Sequence, residues 1–214
     1  EEIQKIEIPF KKLKSRWAYI VPGRIPLNSI SLIVAHLKSQ GAKIAMNPSR
    51  YYIEMGQKQL KPILSRLDVV VMNREEAAYL TGLPYDNEAK IFRKLDELVD
   101  GIAVMTDGPN GAMVSDGESI FSVGTYKEKR VADRTGAGDA FGSGFVSGLM
   151  RHHERAGKIA PEFSEKAIEY AIKLASANAT SVVESIGAEA GILKRTDFES
   201  ERRFKNLKMQ IKST

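Results

Sequence analysis

The run Asp133-Arg134-Thr135-Gly136-Ala137-Gly138-Asp139-Ala140-Phe141 sets two glycines and a carboxylate at the head of an apolar, helix-compatible segment. Glycines on either side of Ala137 allow a tight turn whose successive N–H groups face one concavity. A helix that starts there adds unpaired N–H groups and the positive end of its dipole. Such a junction can hold an anion, phosphate above all, beside the Asp139 carboxylate. In that chemistry Asp139 accepts the proton of an acceptor hydroxyl while the turn holds a phosphoryl group in transit. The step is mostly positioning and electrostatics, so a weak base suffices. The competing reading is a helix-terminal aspartate that complements the dipole, worth about 0.3–1 kcal/mol. Gly142, Gly144 and Gly148 follow in the same helix. Each costs about 1 kcal/mol relative to Ala, which implies close packing against another backbone or a ligand.

Three further groups carry possible chemistry. Asn73-Arg74-Glu75-Glu76 puts an amide at a strand end and an acid one helical turn later, on the same side. An amide facing phosphate oxygens, with Glu76 holding a hydrated Mg²⁺, is one reading; a capping box that needs no ligand is the other. Thr106-Asp107-Gly108-Pro109-Asn110-Gly111 is a Gly-rich turn that turn chemistry explains fully, and that can equally offer N–H groups to a nucleotide. Asn178 lies in the small-residue run Ala175–Thr180, where close packing competes with a nucleotide contact. A P-loop and a Gly-x-Ser-x-Gly elbow are absent. Gly136-x-Gly138 with Gly142 fits a dinucleotide fingerprint only loosely, its last glycine falling one residue too late.

The elements that position these residues follow from apolar patterning. Strands are expected at 17–21, 43–46, 68–72 and 101–106, with a hairpin of 111–114 and 119–123 around Asp116-Gly117. Helices are expected from Asn28 or Ser29 to about Gln40, and at about 55–65, 74–80 and 87–99. Others run from the central turn to about Arg151 and over 163–181, with a loop at 187–191. Alternation of Leu207, Met209 and Ile211 with Lys208, Gln210 and Lys212 suggests a final edge strand. Strands alternating with helices argue an α/β fold with a mostly parallel sheet. Asn47, Asn73, Thr106 and Asp139 all follow apolar runs, where ligands of such sheets bind.

With 214 residues, 43% hydrophobic and 28% charged, the composition is that of one globular domain over 1–214. No apolar run is long enough to span a bilayer, so no membrane role is expected. Cys is absent, which excludes disulfides and thiolate metal sites and suits a cytoplasmic location. His36, His152 and His153 have no metal-ligand spacing. The net charge of +5 includes a tail excess at Arg202, Arg203, Lys205, Lys208 and Lys212 without aromatic interleaving. Nucleic acid is therefore not the expected partner, whereas a nucleotide polyphosphate is compatible with the balance.

In order and spacing, Asn73-x-x-Glu76, Thr106-x-Gly108-x-x-Gly111, Asp133-x-Thr135-Gly136-Ala137-Gly138-Asp139-Ala140-Phe141 and the Gly187-Ala188 loop resemble the ribokinase-like sugar kinases, the PfkB carbohydrate kinase family. The resemblance covers nearly the whole chain. It implies a three-layer α/β/α fold and transfer of the ATP γ-phosphate to a hydroxymethyl of a sugar or nucleoside. It makes Asp139 the base and Gly136, Ala137 and Gly138 the anion hole. Asn73 and Glu76 would organise phosphates and Mg²⁺, while Thr106, Gly108, Gly111 and Asn178 would border the nucleotide. Asp133 and Thr135 would supply carbonyls to a monovalent cation such as K⁺, and a homodimer of the full-length protein is compatible with the family. Arg134 departs from the small or hydroxyl residue that the family more often has there. The family's N-terminal portion, with its lid and most sugar contacts, is expected to be missing, which would expose an apolar sheet edge. Alternatives are a nucleotide-binding but catalytically incompetent fragment, a vitamin kinase of the same fold, and, more distantly, a dinucleotide-binding oxidoreductase.

Overall fold

A computed structural model describes residues 7–156, 163–187 and 190–214. The chain divides into two compact units, Glu1–Ala103 and Val104–Thr214. The first contains β1 (Trp17–Ile20), α1 (Leu27–Ser39), β2 (Lys43–Met46), α2 (Arg50–Ile53), α3 (Gln57–Leu64), β3 (Val69–Asn73), α4 (Arg74–Thr81), α5 (Glu88–Asp96) and the start of β4 (Ile102–Thr106). Strands β1, β2 and β3 pair in parallel, with Tyr19 opposite Ala45 and Met46 opposite Val70. Ile44, Ala45, Met46 and Val69 to Met72 are all buried. An unbroken apolar strand is what a parallel sheet enclosed on both faces requires. Asp68 fastens this region: its Oδ2 accepts from Ile44 N at 2.7 Å and from Lys38 Nζ at 2.5 Å. Its Oδ1 lies 3.3 Å from Lys43 Nζ.

Two helix expectations are corrected here. α1 begins at Leu27 with Pro26 as N-cap, and Asn28 and Ser29 lie inside the first turn. Pro26 contributes its carbonyl to the N–H groups of Ser29 and Ile30, and a proline at a helix entrance wastes no donor. The helix expected at 55–65 is found as α3, starting only at Gln57 behind its N-cap Gly56 at φ +80°, and a short helix that was not expected, α2, precedes it. Tyr52 and Ile53 are buried in the core, so tertiary burial creates a helical turn that local pattern does not announce. α5 is also shorter than expected, running from Glu88 to Asp96 behind Asn87.

The second unit contains the end of β4, β5 (Ala112–Ser115), β6 (Ser119–Val123), α6 (Ala137–Ala156), α7 (Glu165–Val183), α8 (Arg195–Ser200) and β7 (Met209–Ser213). β5 and β6 form the expected hairpin and β7 pairs antiparallel with β6. The pairing is thus parallel in the first unit and antiparallel in this hairpin and its neighbour. β7 is largely exposed, as an edge strand with alternating lysines should be. α6 continues past Arg151 to Ala156. α7 starts two residues later than expected, because Ser164 caps it by accepting from Ala167 N at 3.3 Å. Among the described residues, no helix is long and apolar enough to cross a membrane.

Two glycines of α6, Gly144 and Gly148, pack against α7. A Cβ at Gly148 would lie 2.4 Å from Ala171 Cα, and one at Gly144 would lie 2.9 Å from Ala175 Cα. The neighbour at these two positions is therefore another backbone. Ala167, Ala171 and Ala175 are fully buried along the same helix, so small residues on both partners set the interaxial approach.

Candidate active site

In the second unit the segment leading into α6 has no regular secondary structure, and its conformation is set by individual bonds. The N–H groups of Ala132 and Asp133 both donate to Val183 O, at 2.9 and 3.2 Å, at the carboxyl end of α7. Asp133 Oδ1 then accepts from Thr135 N at 2.9 Å and its Oδ2 from Gly187 N at 3.4 Å. The Thr135 backbone N–H and hydroxyl, followed by the Gly187 and Arg134 N–H groups, hold the Asp133 carboxyl below the usual carboxylate range. Both carboxylate oxygens are thus engaged in shaping the turn. The carbonyl oxygens of Asp133 and Thr135 accept no hydrogen bond from the described residues, which fits them for a cation held by main-chain oxygens.

Gly136 takes φ +81°, a left-handed conformation that glycine adopts without steric cost. The chain then enters α6, with Ala140 N donating to Gly136 O at 2.8 Å and Ala137 N to Arg134 O at 3.3 Å. The N–H groups of Gly138 and Asp139 have no partner among the described residues. Both residues are exposed, and a Cβ at Gly138 would meet nothing within 4 Å. Two N–H donors, a cleared approach and a helix dipole are the features an anion would need to bind here. The Asp139 carboxylate stands at the third helical position beside these donors. Arg134 is exposed, so the departure from a small residue there meets no steric obstacle.

The other expected residues of this unit fall into two groups. Asp107 N donates to Gly111 O at 2.8 Å, and Asn110 Nδ2 to Asp107 Oδ2 at 3.0 Å, closing the turn after Thr106 on itself. Gly108 has φ +52° and open space around it, whereas Gly111 has φ +102° and a Cβ there would lie 1.9 Å from Val123 O. Gly111 therefore has a packing reason to be glycine. Asn178 is buried; its Nδ2 donates to Ala140 O at 2.8 Å and its Oδ1 accepts from Leu193 N at 2.9 Å. Its amide is engaged at both ends inside the protein, joining the first turn of α6 to the segment after Gly191. Val183, whose carbonyl shapes the turn, carries no sequence signal; Gly187 belongs to the expected Gly187-Ala188 loop, but its bond to Asp133, 54 residues away, is not encoded by any local spacing. Ala188 lies outside the described residues.

In the first unit Asn47 follows β2 and Asn73 ends the neighbouring parallel strand β3. Asn73 Oδ1 accepts from Glu76 N at 2.8 Å, and Glu76 Oε2 accepts from Asn73 N at 2.9 Å. This is a complete capping box. Arg74 braces it, with its guanidinium 4.5 Å from the centre of the Tyr85 ring, Nε on Tyr85 O at 2.9 Å and Nη1 on Glu88 at 3.1 Å. No group of three or more His, Asp or Glu among the described residues could hold a metal ion. A divalent ion near Glu76 would therefore be carried mainly by water and nucleotide oxygens, as Mg²⁺ commonly is.

Comparison with known proteins gives this geometry its family. Residues 13–195 match the model of the pfkB family of carbohydrate kinases, and the chain belongs to that family. It is 30% identical over 154 residues to the cytidine kinase of Thermococcus kodakarensis, a match covering 71% of this chain and 54% of that protein. It is 29% identical over 176 residues to the ribokinase of Haemophilus influenzae, covering 80% and 51%. Among solved structures, Arabidopsis thaliana ribokinase complexed with ribose and ATP aligns with a TM-score of 0.71 at 19% identity, over 90% of this chain and 56% of that one. A Vibrio cholerae fructokinase double mutant bound to fructose, ADP and potassium ion aligns at 0.68 and 21%, over 86% and 59%. The fold is ribokinase-like α/β. The chain spans about half the length of the relatives it matches.

Proposed function

We propose that the protein transfers the γ-phosphate of ATP to a hydroxymethyl group of a sugar or nucleoside. The observation that carries this is the pair of N–H groups at Gly138 and Asp139, without a partner among the described residues and exposed at the head of α6 beside the Asp139 carboxylate. In this reading Gly136, Ala137 and Gly138 form the anion hole and Asp139 accepts the proton of the acceptor hydroxyl. Charge accumulates on the transferring group, and donors already fixed in place stabilise it without reorganisation. Thr106 and Gly108 border the nucleotide, and the carbonyls of Asp133 and Thr135 suit a monovalent cation such as K⁺. The roles of Asn73 with phosphate and Glu76 with Mg²⁺ rest on the family's motif order rather than on geometry.

The test is ADP release over a panel of sugars, nucleosides and a pyridoxal-type acceptor, with the chain alone and with the full-length gene product. Turnover with a sugar or nucleoside is expected, and Asp139→Asn should lower it by at least about 100-fold with nucleotide affinity nearly unchanged. Near-normal turnover in that variant would remove Asp139 from the role of base. Turnover confined to the pyridoxal-type acceptor would replace the substrate class. Nucleotide binding without turnover in either form would make the protein a binding module.

A further inference from the structure

The turn that leads into α6 is held by a strap, residues 127–133, with no regular secondary structure of its own. Four hydrogen bonds fasten that strap to the end of α7: Lys129 N to Glu184 Oε1 at 2.6 Å, Arg130 Nε to Glu184 O at 3.0 Å, and Ala132 N and Asp133 N to Val183 O. The Glu184 side chain is the hub. It is 12% exposed, and the same Oε1 that takes the Lys129 N–H also accepts from Arg203 Nη1 at 2.6 Å. Arg203 is gripped on its other edge by Glu201, with Nε to Oε2 at 2.6 Å, and lies 4.3 Å from the centre of the Phe204 ring. Phe204 is buried edge-on against Tyr126, whose hydroxyl donates to Phe204 O at 2.8 Å. Burial pushes the Tyr126 phenol up to about 12, so it remains a donor at any working pH. The strap and Tyr126 just before it are therefore tied to the end of α7 and to the Arg203–Phe204 segment.

We propose that the Glu184–Arg203 pair is the clamp that positions the Asp133–Asp139 turn, making both residues positioning residues for the transfer. Arg203 lies beyond residues 13–195 matched by the family model, so the clamp draws on a segment outside that match. A planar fork suits this post because one guanidinium must meet two carboxylates on different edges. Burial works against the charge of Glu184, but Arg203 and the Lys129 N–H outweigh it and hold the carboxyl below its usual range. Displacing the turn by a fraction of an ångström would misplace the Gly138 and Asp139 donors, and catalysis is far more sensitive to such an error than folding is.

The inference rests on the kinase reading for its activity arm but not for its structural arm. The experiment compares the intact protein with Arg203→Met, Arg203→Lys and, as a stability control, Lys38→Met, which breaks the bridge to Asp68 in the first unit. Hydrogen exchange at Ala132 and Asp133, thermal midpoint, and kcat and KM are measured well below every midpoint. Arg203→Met should speed exchange at these two amides by about tenfold or more and lower kcat about 10- to 100-fold, with KM for the acceptor within about twofold. Arg203→Lys should recover part of both, and Lys38→Met should lower the midpoint without moving either. Unchanged exchange and turnover in Arg203→Met would overturn the clamp. So would a loss of activity that tracks the midpoint equally in Arg203→Met and Lys38→Met. Absence of turnover in the unsubstituted protein would sink the kinase reading alone, leaving the exchange arm to decide the clamp.

Discussion

At the scale of single residues, Asp133 and Asp139 divide the work of one short turn. Asp139 is exposed beside two N–H groups that have no partner among the described residues, while Asp133 spends both carboxylate oxygens on the N–H groups of Thr135 and Gly187. Those bonds stabilise the ionised form, so the folded-state pKa of Asp133 lies below its unfolded value. The sign follows: its contribution to stability is complete above the unfolded carboxylate range and is lost as pH falls through the folded value. Asp133→Asn should therefore be less stable than the parent at about pH 6, and the difference should shrink as pH falls below about 4. Denaturant midpoints across that range measure it; a gap that widens on acidification would contradict the assignment.

At the scale of elements, packing explains Gly144 and Gly148 without a ligand. Gly148 sits against Ala171 closely enough that any side chain would collide with backbone. Gly148→Ala gains about 1 kcal/mol of helix propensity but forces α6 and α7 apart, at a cost of about 1–3 kcal/mol. The net expectation is a lower thermal midpoint, and an increase would show that the two helices can part freely. The start of α4 offers a second test. Asn73→Ala removes the side chain that caps Glu76 N and should cost about 0.5–2 kcal/mol in chemical denaturation, whatever its effect on nucleotide affinity. Comparing the two readouts separates capping from ligand contact.

At the scale of the molecule, protection should be uneven. β2, β3 and α7 are built mostly from buried residues, whereas the 127–133 strap and β7 are mostly exposed. Native-state hydrogen exchange should find the slowest amides in the former and the fastest in the latter, since local opening is easiest where few apolar contacts are lost. Uniform protection would contradict this. The mobility expected of the strap is also why a clamp at Glu184 matters to the site.

The amino-acid sequence by itself determined the features that depend on near neighbours. The apolar runs of β2 and β3, the hairpin turn at Asp116-Gly117, the capping box at Asn73-Glu76 and the place of Asp139 near the head of α6 are all readable within a few residues. Pattern, turn chemistry and capping act over that distance. Tertiary structure alone decided the rest. It added the short helix α2, whose Tyr52 and Ile53 are buried, ahead of the helix expected at 55–65, and put α7 rather than a ligand against Gly144 and Gly148. It also gave both ends of the Asn178 amide to Ala140 and Leu193. Each of these depends on residues brought together from distant parts of the chain. Burial and hydrogen-bond satisfaction are properties of that assembly, and no local spacing encodes them.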